Sequence, residues 1–124
     1  MKRILIADDD RVMVRLYQLH LRRQGYSLSI FENGEEVQQH MDALDFDLAI
    51  LDYMLPGVSG LELIQQIRSM SKHQNTPIII ITGQGRSSLK DELLTAGANT
   101  VFTKPFSPVQ LIKTIEGMIG KSEG

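Results

Sequence analysis

Three short, uninterrupted apolar runs constrain this chain more than any other feature: Ile4-Leu5-Ile6-Ala7, Leu48-Ala49-Ile50-Leu51 and Ile78-Ile79-Ile80-Ile81. A strand with one wet face alternates apolar and polar residues, whereas a strand covered on both faces is apolar throughout. These runs therefore read as inner strands of a parallel sheet, with helices packed above and below. The stretch 26–31 begins by alternating and Thr100–Thr103 is short, so both suit sheet edges. None of the runs approaches the roughly 18 apolar residues that a membrane-spanning helix needs. The basic start Lys2-Arg3 is followed by acids too soon for a secretory signal core of about 7–15 apolar residues.

Amphipathic segments separate the strands. Residues 11–24 place Val12, Leu16 and Leu19 at helical spacing and stop at Gly25. Asn33 with Glu36, and Ser59 with Glu62, read as capping boxes opening two further helices. Ser88 reads as the cap of a shorter helix that ends at Gly97. Ser107-Pro108 supplies a cap and a proline at the first helical position. The order is β-α five times over. Right-handed crossovers turn it into an α/β fold: a five-stranded parallel sheet in the order 2-1-3-4-5, flavodoxin-like, with helices on both faces. Ligands of such sheets bind beyond the carboxyl ends of the strands.

At those ends the sequence is polar. Strand one runs into Asp8-Asp9-Asp10, strand three into Asp52, strand four into Thr82-Gly83 and strand five into Lys104-Pro105. Carboxylates brought together raise one another's pKa or take up a cation. With no cysteine in 124 residues and no histidine beside these motifs, the cation is a hard one, Mg²⁺ first and Mn²⁺ second. A carboxylate beside such an ion can attack phosphorus and form an acyl phosphate. Lys104 offsets charge on the transferred group, Thr82 donates to it, and Gly83 leaves room for close approach. Asp10 reads as a helix cap rather than a ligand. Asp45 and Asp47, at the far end of the sheet, read as solvated. His20, His40 and His73 read as surface residues, and Arg11, Arg15, Arg22 and Arg23 as a solvated helix face.

Together these motifs resemble the receiver domain of two-component response regulators. The residues that carry the likeness are Asp8-Asp9-Asp10, Leu51-Asp52-Tyr53-Met54-Leu55-Pro56-Gly57, Thr82-Gly83 and Phe102-Thr103-Lys104-Pro105-Phe106. The resemblance implies that Asp52 is the phosphoryl acceptor. It implies a metal held by Asp8, Asp9, Asp52 and the backbone carbonyl of Met54, with Thr82 and Lys104 contacting the phosphoryl group. It also implies a cis Lys104-Pro105 bond. The switch role falls to Thr82 and to the position of Val101, where the family often carries an aromatic residue. Strand alternation aims the neighbouring Phe102 at the opposite face.

The likeness implies a signalling switch rather than a metabolic enzyme. Its phosphoryl donor is a sensor histidine kinase or phosphotransfer domain, and its responsive surface is the fourth helix, fifth strand and fifth helix. The output is a downstream protein or a fused output domain, and a phosphorylation-linked dimer is among the partners implied. With 13 basic against 15 acidic side chains and a net charge of −2, nucleic acid and membrane are not expected as direct partners, and a cytoplasmic setting is the simplest reading. The receiver is expected to span 1–120, with 121–124 a disordered tail or linker remnant. Two rivals share parts of the chemistry. A haloacid-dehalogenase-type phosphatase would place its nucleophile after strand one and leave Asp52 unexplained. An FMN-binding module would need a phosphate-cradling loop where three acids stand.

Overall fold

A computed structural model describes residues 1–121. Five strands, β1 (Arg3–Ala7), β2 (Ser27–Phe31), β3 (Leu48–Asp52), β4 (Ile78–Thr82) and β5 (Thr100–Thr103), form one sheet in the order β2-β1-β3-β4-β5. Each pairing is parallel, from Ile6 beside Ile30 and Ile50 to Ile80 beside Val101. The α-helices are α1 (Arg11–Arg23), α2 (Gly34–His40), α3 (Gly60–Ser69), α4 (Ser87–Ala96) and α5 (Pro108–Ile119). Short 3-10 turns follow α2 at Met41–Ala43 and α3 at Ser71–His73.

Because successive side chains of a strand point to opposite faces, the inner strands feed two cores. Leu5, Ala7, Ala49, Leu51, Ile78 and Ile80 pack with Val37, Leu63, Ile67 and Leu93 beneath α2, α3 and α4. Ile4, Ile6, Leu48, Ile50, Ile79 and Ile81 pack with Tyr17, Leu21, Leu111 and Ile115 beneath α1 and α5. Every residue of β3 and β4 is buried, whereas β2 and β5 are mostly half-buried. The inner and edge strands are thus those expected from the apolar runs.

Three expectations are corrected. In α1 the buried positions are Tyr17 and Leu21, while Val12 and Leu19 are 74% and 54% exposed. The helix carries apolar residues in two phases, and the sheet takes the one that includes Tyr17. Ser88 is not a cap: α4 begins at Ser87 behind Arg86, with no side-chain hydrogen bond at its N-cap. His73 is buried, stacked on Phe46 at 4.0 Å between ring centroids, with Nδ1 2.8 Å from Thr76 Oγ1. The 3-10 turn after α3 carries it inward, a bend that residue spacing does not announce.

The other caps form as read. Asn33 Oδ1 accepts from the Glu36 amide at 2.8 Å, Ser59 Oγ from Glu62 at 3.3 Å and Ser107 Oγ from Gln110 at 3.3 Å. Asp45 is exposed and pairs with Lys72, while Asp47 accepts from the Arg3 amide at 2.8 Å. Lys121 lies exposed beyond α5, and the rest of the expected tail, 122–124, lies outside the described residues. No helix among the described residues is long and apolar enough to cross a membrane.

Candidate functional site

The carboxyl ends of β1 and β3 are neighbours in the sheet, and that adjacency gathers the acids. Asp52 is the last residue of β3, and Asp8 and Asp9 follow β1 directly. Carboxylate oxygens of Asp8, Asp9 and Asp52 lie within 4.8 Å of one another, with Asp8 and Asp52 buried and Asp9 exposed. Asp10 turns away and caps α1, accepting from the Val12 amide at 2.9 Å.

Each buried acid is held by its surroundings. The Asp10 amide donates to Asp8 Oδ1 at 2.9 Å, and the Tyr17 hydroxyl to Asp8 Oδ2 at 3.5 Å. The Met54 amide donates to Asp52 Oδ1 at 3.0 Å, and Lys104 Nζ lies 3.5 Å from Asp52 Oδ2. Both Asp52 oxygens are thus oriented before any substrate arrives. Behind Asp52 the backbone is crowded. A Cβ on Gly60, the first residue of α3, would stand 2.9 Å from the Asp52 carbonyl oxygen, so only glycine lets α3 start this close.

Burial pushes the Asp8 carboxyl up to about 6. The Asp10 amide pulls it back, and the Asp52 charge adds to the rise. Tyr17, fully buried, has its pKa raised by burial first and then by the Asp8 charge, so its hydroxyl stays a donor. Sequence reasoning missed Tyr17. The available signal was a phenol one helical face away from Val12 and Leu16, at i+4 from Met13 and i−4 from Leu21.

Lys104 reaches the site from the end of β5, across β4. Its amide donates to the Thr82 carbonyl at 2.8 Å, and its peptide bond to Pro105 is cis. Thr82 is 1% exposed at the end of β4, and its Oγ1 accepts from the Gln84 amide at 3.0 Å. Its hydroxyl proton is left to donate elsewhere. A Cβ on Gly83 would meet nothing within 4 Å. Val101 packs toward α4, and Phe102 lies on the other face, edge-on to Phe106 at 5.8 Å. The Met54 side chain is 64% exposed. An all-oxygen donor set of this kind, partly buried and rich in negative charge, fits a hard divalent cation.

A family model described as "Response regulator receiver domain" matches residues 4–116. Regulatory protein VanR of Enterococcus faecium is 39% identical over 117 residues, 94% of this chain and 49% of that protein. Transcriptional regulatory protein ResD of Bacillus subtilis is 32% identical over 120 residues, 97% of this chain and 49% of that protein. The receiver domain of sensor histidine kinase PA1611 of Pseudomonas aeruginosa, solved with a magnesium ion in its active-site cleft, superposes with a TM-score of 0.86. It is 25% identical, over 97% of this chain and 98% of that one. The chain spans about half the length of the curated relatives it matches. One of them is named a transcriptional regulator. The expectation that nucleic acid is no partner, drawn from the charge balance of this stretch, therefore finds no support.

Proposed function

The chain belongs to the response-regulator receiver family, whose general function is phosphorylation-dependent switching, and from that premise we propose that Asp52 is its phosphoryl acceptor. The observation that carries this reading is the convergence of Asp8, Asp9 and Asp52 with Lys104 at one sheet end.

In this reading a histidine kinase or phosphotransfer domain presents a phosphohistidine. An Asp52 carboxylate oxygen attacks phosphorus; the new P–O bond forms as the P–N bond breaks. The departing imidazole nitrogen keeps the electron pair and takes a proton from solvent. Lys104 offsets charge on the phosphoryl oxygens, and the Thr82 hydroxyl donates to one of them. Asp8, Asp9, Asp52 and the Met54 carbonyl would hold Mg²⁺, or Mn²⁺, which supplies charge neutralisation at the phosphoryl oxygens. Tyr17 keeps Asp8 oriented. Hydrolysis then resets the domain: water attacks phosphorus, the P–O bond to Asp52 breaks, and inorganic phosphate leaves. The catalysis is positioning and charge stabilisation, mostly for the protein's own modification. Thr82 and the Val101 position on β5 relay the change toward α4 and α5. The receiver unit spans 1–120, in a cytoplasmic setting.

The test is incubation with acetyl phosphate and Mg²⁺, read by intact mass. The expected result is one phosphoryl group on the wild type, dependent on the metal and absent from Asp52→Asn. Metal-independent labelling, or labelling that survives in Asp52→Asn, overturns the assignment. Rapid turnover of p-nitrophenyl phosphate would point to a phosphatase instead.

A further inference from the structure

The loop after β3 carries Met54 and reaches Gly60, and its outer half leans on an element that contributes nothing to the acidic cluster. That element is the N-terminus of α2. The Gly34 amide donates to the Pro56 carbonyl at 3.3 Å. A Cβ on Gly34 would overlap the Val58 carbonyl oxygen and stand 2.6 Å from Val58 Cβ and 2.9 Å from its carbonyl carbon. Gly34 is buried, and its φ is not positive. Glycine is therefore required here for space and not for backbone angle. The same contact recurs one residue along, where the Glu35 side chain lies over Gly57, whose φ is +81°. Val58 and Leu55 are themselves largely buried, so the loop has little room to retreat. Asn33 fixes the start of α2 by accepting from the Glu36 amide, which makes the helix end a firm support.

We infer that Gly34 is a positioning residue for the phosphoryl-acceptor site: by letting α2 close against Pro56 and Val58, it sets the path of the 53–58 backbone and so the placement of Met54 beside Asp52. The contact works in both directions. The Pro56 carbonyl satisfies one of the four amides that a helix leaves unpaired at its start, and the helix end in return holds the loop. The bond from the Met54 amide to Asp52 Oδ1, at 3.0 Å, ties that loop path to the orientation of the acceptor carboxylate. An atom added at Gly34 must move backbone, since the nearest groups are main-chain atoms and a Cβ and not a flexible side-chain end. This inference rests on the reading of Asp52, Met54 and Mg²⁺ given above.

The experiment compares wild type, Gly34→Ala, Val58→Ala and Gly97→Ala. Gly97 has a φ of +127°, and a Cβ there would meet Arg68 at 2.9 Å, at the opposite end of the sheet. It is a control for lost stability without a path to the site. Two quantities are measured below each variant's unfolding transition: Mg²⁺ affinity by calorimetry, and hydrogen exchange of the Met54 amide in metal-free protein. Gly34→Ala is expected to weaken Mg²⁺ binding on the order of tenfold, the usual size for loss of an outer support of a metal site, and to speed Met54 exchange. Val58→Ala keeps the carbonyl and Cβ that face Gly34 but removes the buried methyl groups that seat the loop in the core, and so moves both in the same direction by less. It also serves as the test if Gly34→Ala does not fold. Gly97→Ala leaves both at wild-type values. If the folded members of the Gly34 and Val58 pair match Gly97→Ala while wild type binds Mg²⁺, the inference is overturned and the Asp52 reading stands. If wild type itself binds no Mg²⁺, the Asp52 reading is overturned and this inference with it.

Discussion

The two ends of the central sheet treat charge in opposite ways. At the amino end, Arg68 of α3 sends Nη1 to the carbonyls of His73 and Thr76 at 2.8 and 2.7 Å. Its Nη2 goes to the Gly97 carbonyl and Asn99 Oδ1 at 2.8 and 3.0 Å, with Nε on Gly97 as well. Lys72 likewise reaches the carbonyls of Asp42 and Leu44 and the Asp45 carboxylate. At the carboxyl end, three carboxylates crowd together and Lys104 stands 3.5 Å from Asp52. One end matches its charges to partners and so fastens loops together. The other keeps an excess of negative charge that a cation can answer. The contrast teaches where stability and chemistry are separated in this chain.

The largest effect that would break the contrast is at Arg68. Arg68→Met removes charged donors from four acceptors in two connections, those between α3 and β4 and between α4 and β5. It is expected to cost about 3 kcal/mol, read as a lower urea midpoint, while phosphorylation of the folded fraction by acetyl phosphate persists. Loss of phosphorylation in the folded variant would show that the two ends are coupled.

Next is Asp8→Asn. A carboxyl whose folded pKa is about 6 against 3.8 in the unfolded chain binds its proton more tightly when folded. Metal-free stability therefore falls as pH rises from about 4 through about 6, then levels off. Asp8→Asn should erase that slope and leave the protein more stable above the window, while weakening Mg²⁺ binding. Urea midpoints across pH, with and without Mg²⁺, check both parts.

His73 supplies the opposite sign in a smaller amount. Burial lowers its pKa below 6.5, helped by Lys72 and Arg68 and resisted by the Leu44 carbonyl and Asp45. The unfolded chain then takes the proton first, and stability is lost as pH falls below 6.5. His73→Phe keeps a ring on Phe46 and should flatten that acid limb in the same midpoint series. The two sheet ends thus titrate in opposing senses, and the two variants separate them. The smallest effect is expected from Ser88→Ala, within about 0.5 kcal/mol, because Ser88 is exposed in the first turn of α4 and caps nothing. A loss near 1 kcal/mol, the usual size for a cap, would restore it to the role its spacing suggested.

The inner strands were legible because burial on both faces leaves an apolar run that nothing else in the chain imitates. The acids were legible because strand ends of a parallel sheet share one edge, so residues far apart in sequence but equivalent in position must meet. Asp10 was separable from Asp8 and Asp9 because a helix start calls for a side-chain acceptor. What escaped was tertiary in origin. The phase of α1 depends on what the sheet offers, and two apolar stripes on one helix look alike until Tyr17 finds Asp8. His73 is drawn inward by a 3-10 turn after Met70, a local bend with no residue period. Gly34 is invisible as a support because its reason for being glycine lies on Val58, 24 positions away.

Asp52 ends β3, the middle strand of the five, where the Tyr53 amide is already bonded to the Ile81 carbonyl at 2.9 Å and every strand residue is sealed from water. Under the acceptor role proposed above, a covalent load would sit at the end of a strand enclosed on both faces. Partial exposure belongs to the margin. There β5, open along one side, offers Val101 and Phe102 to opposite faces with partial cover. On that proposed reading, an event at the anvil would be felt at the rim.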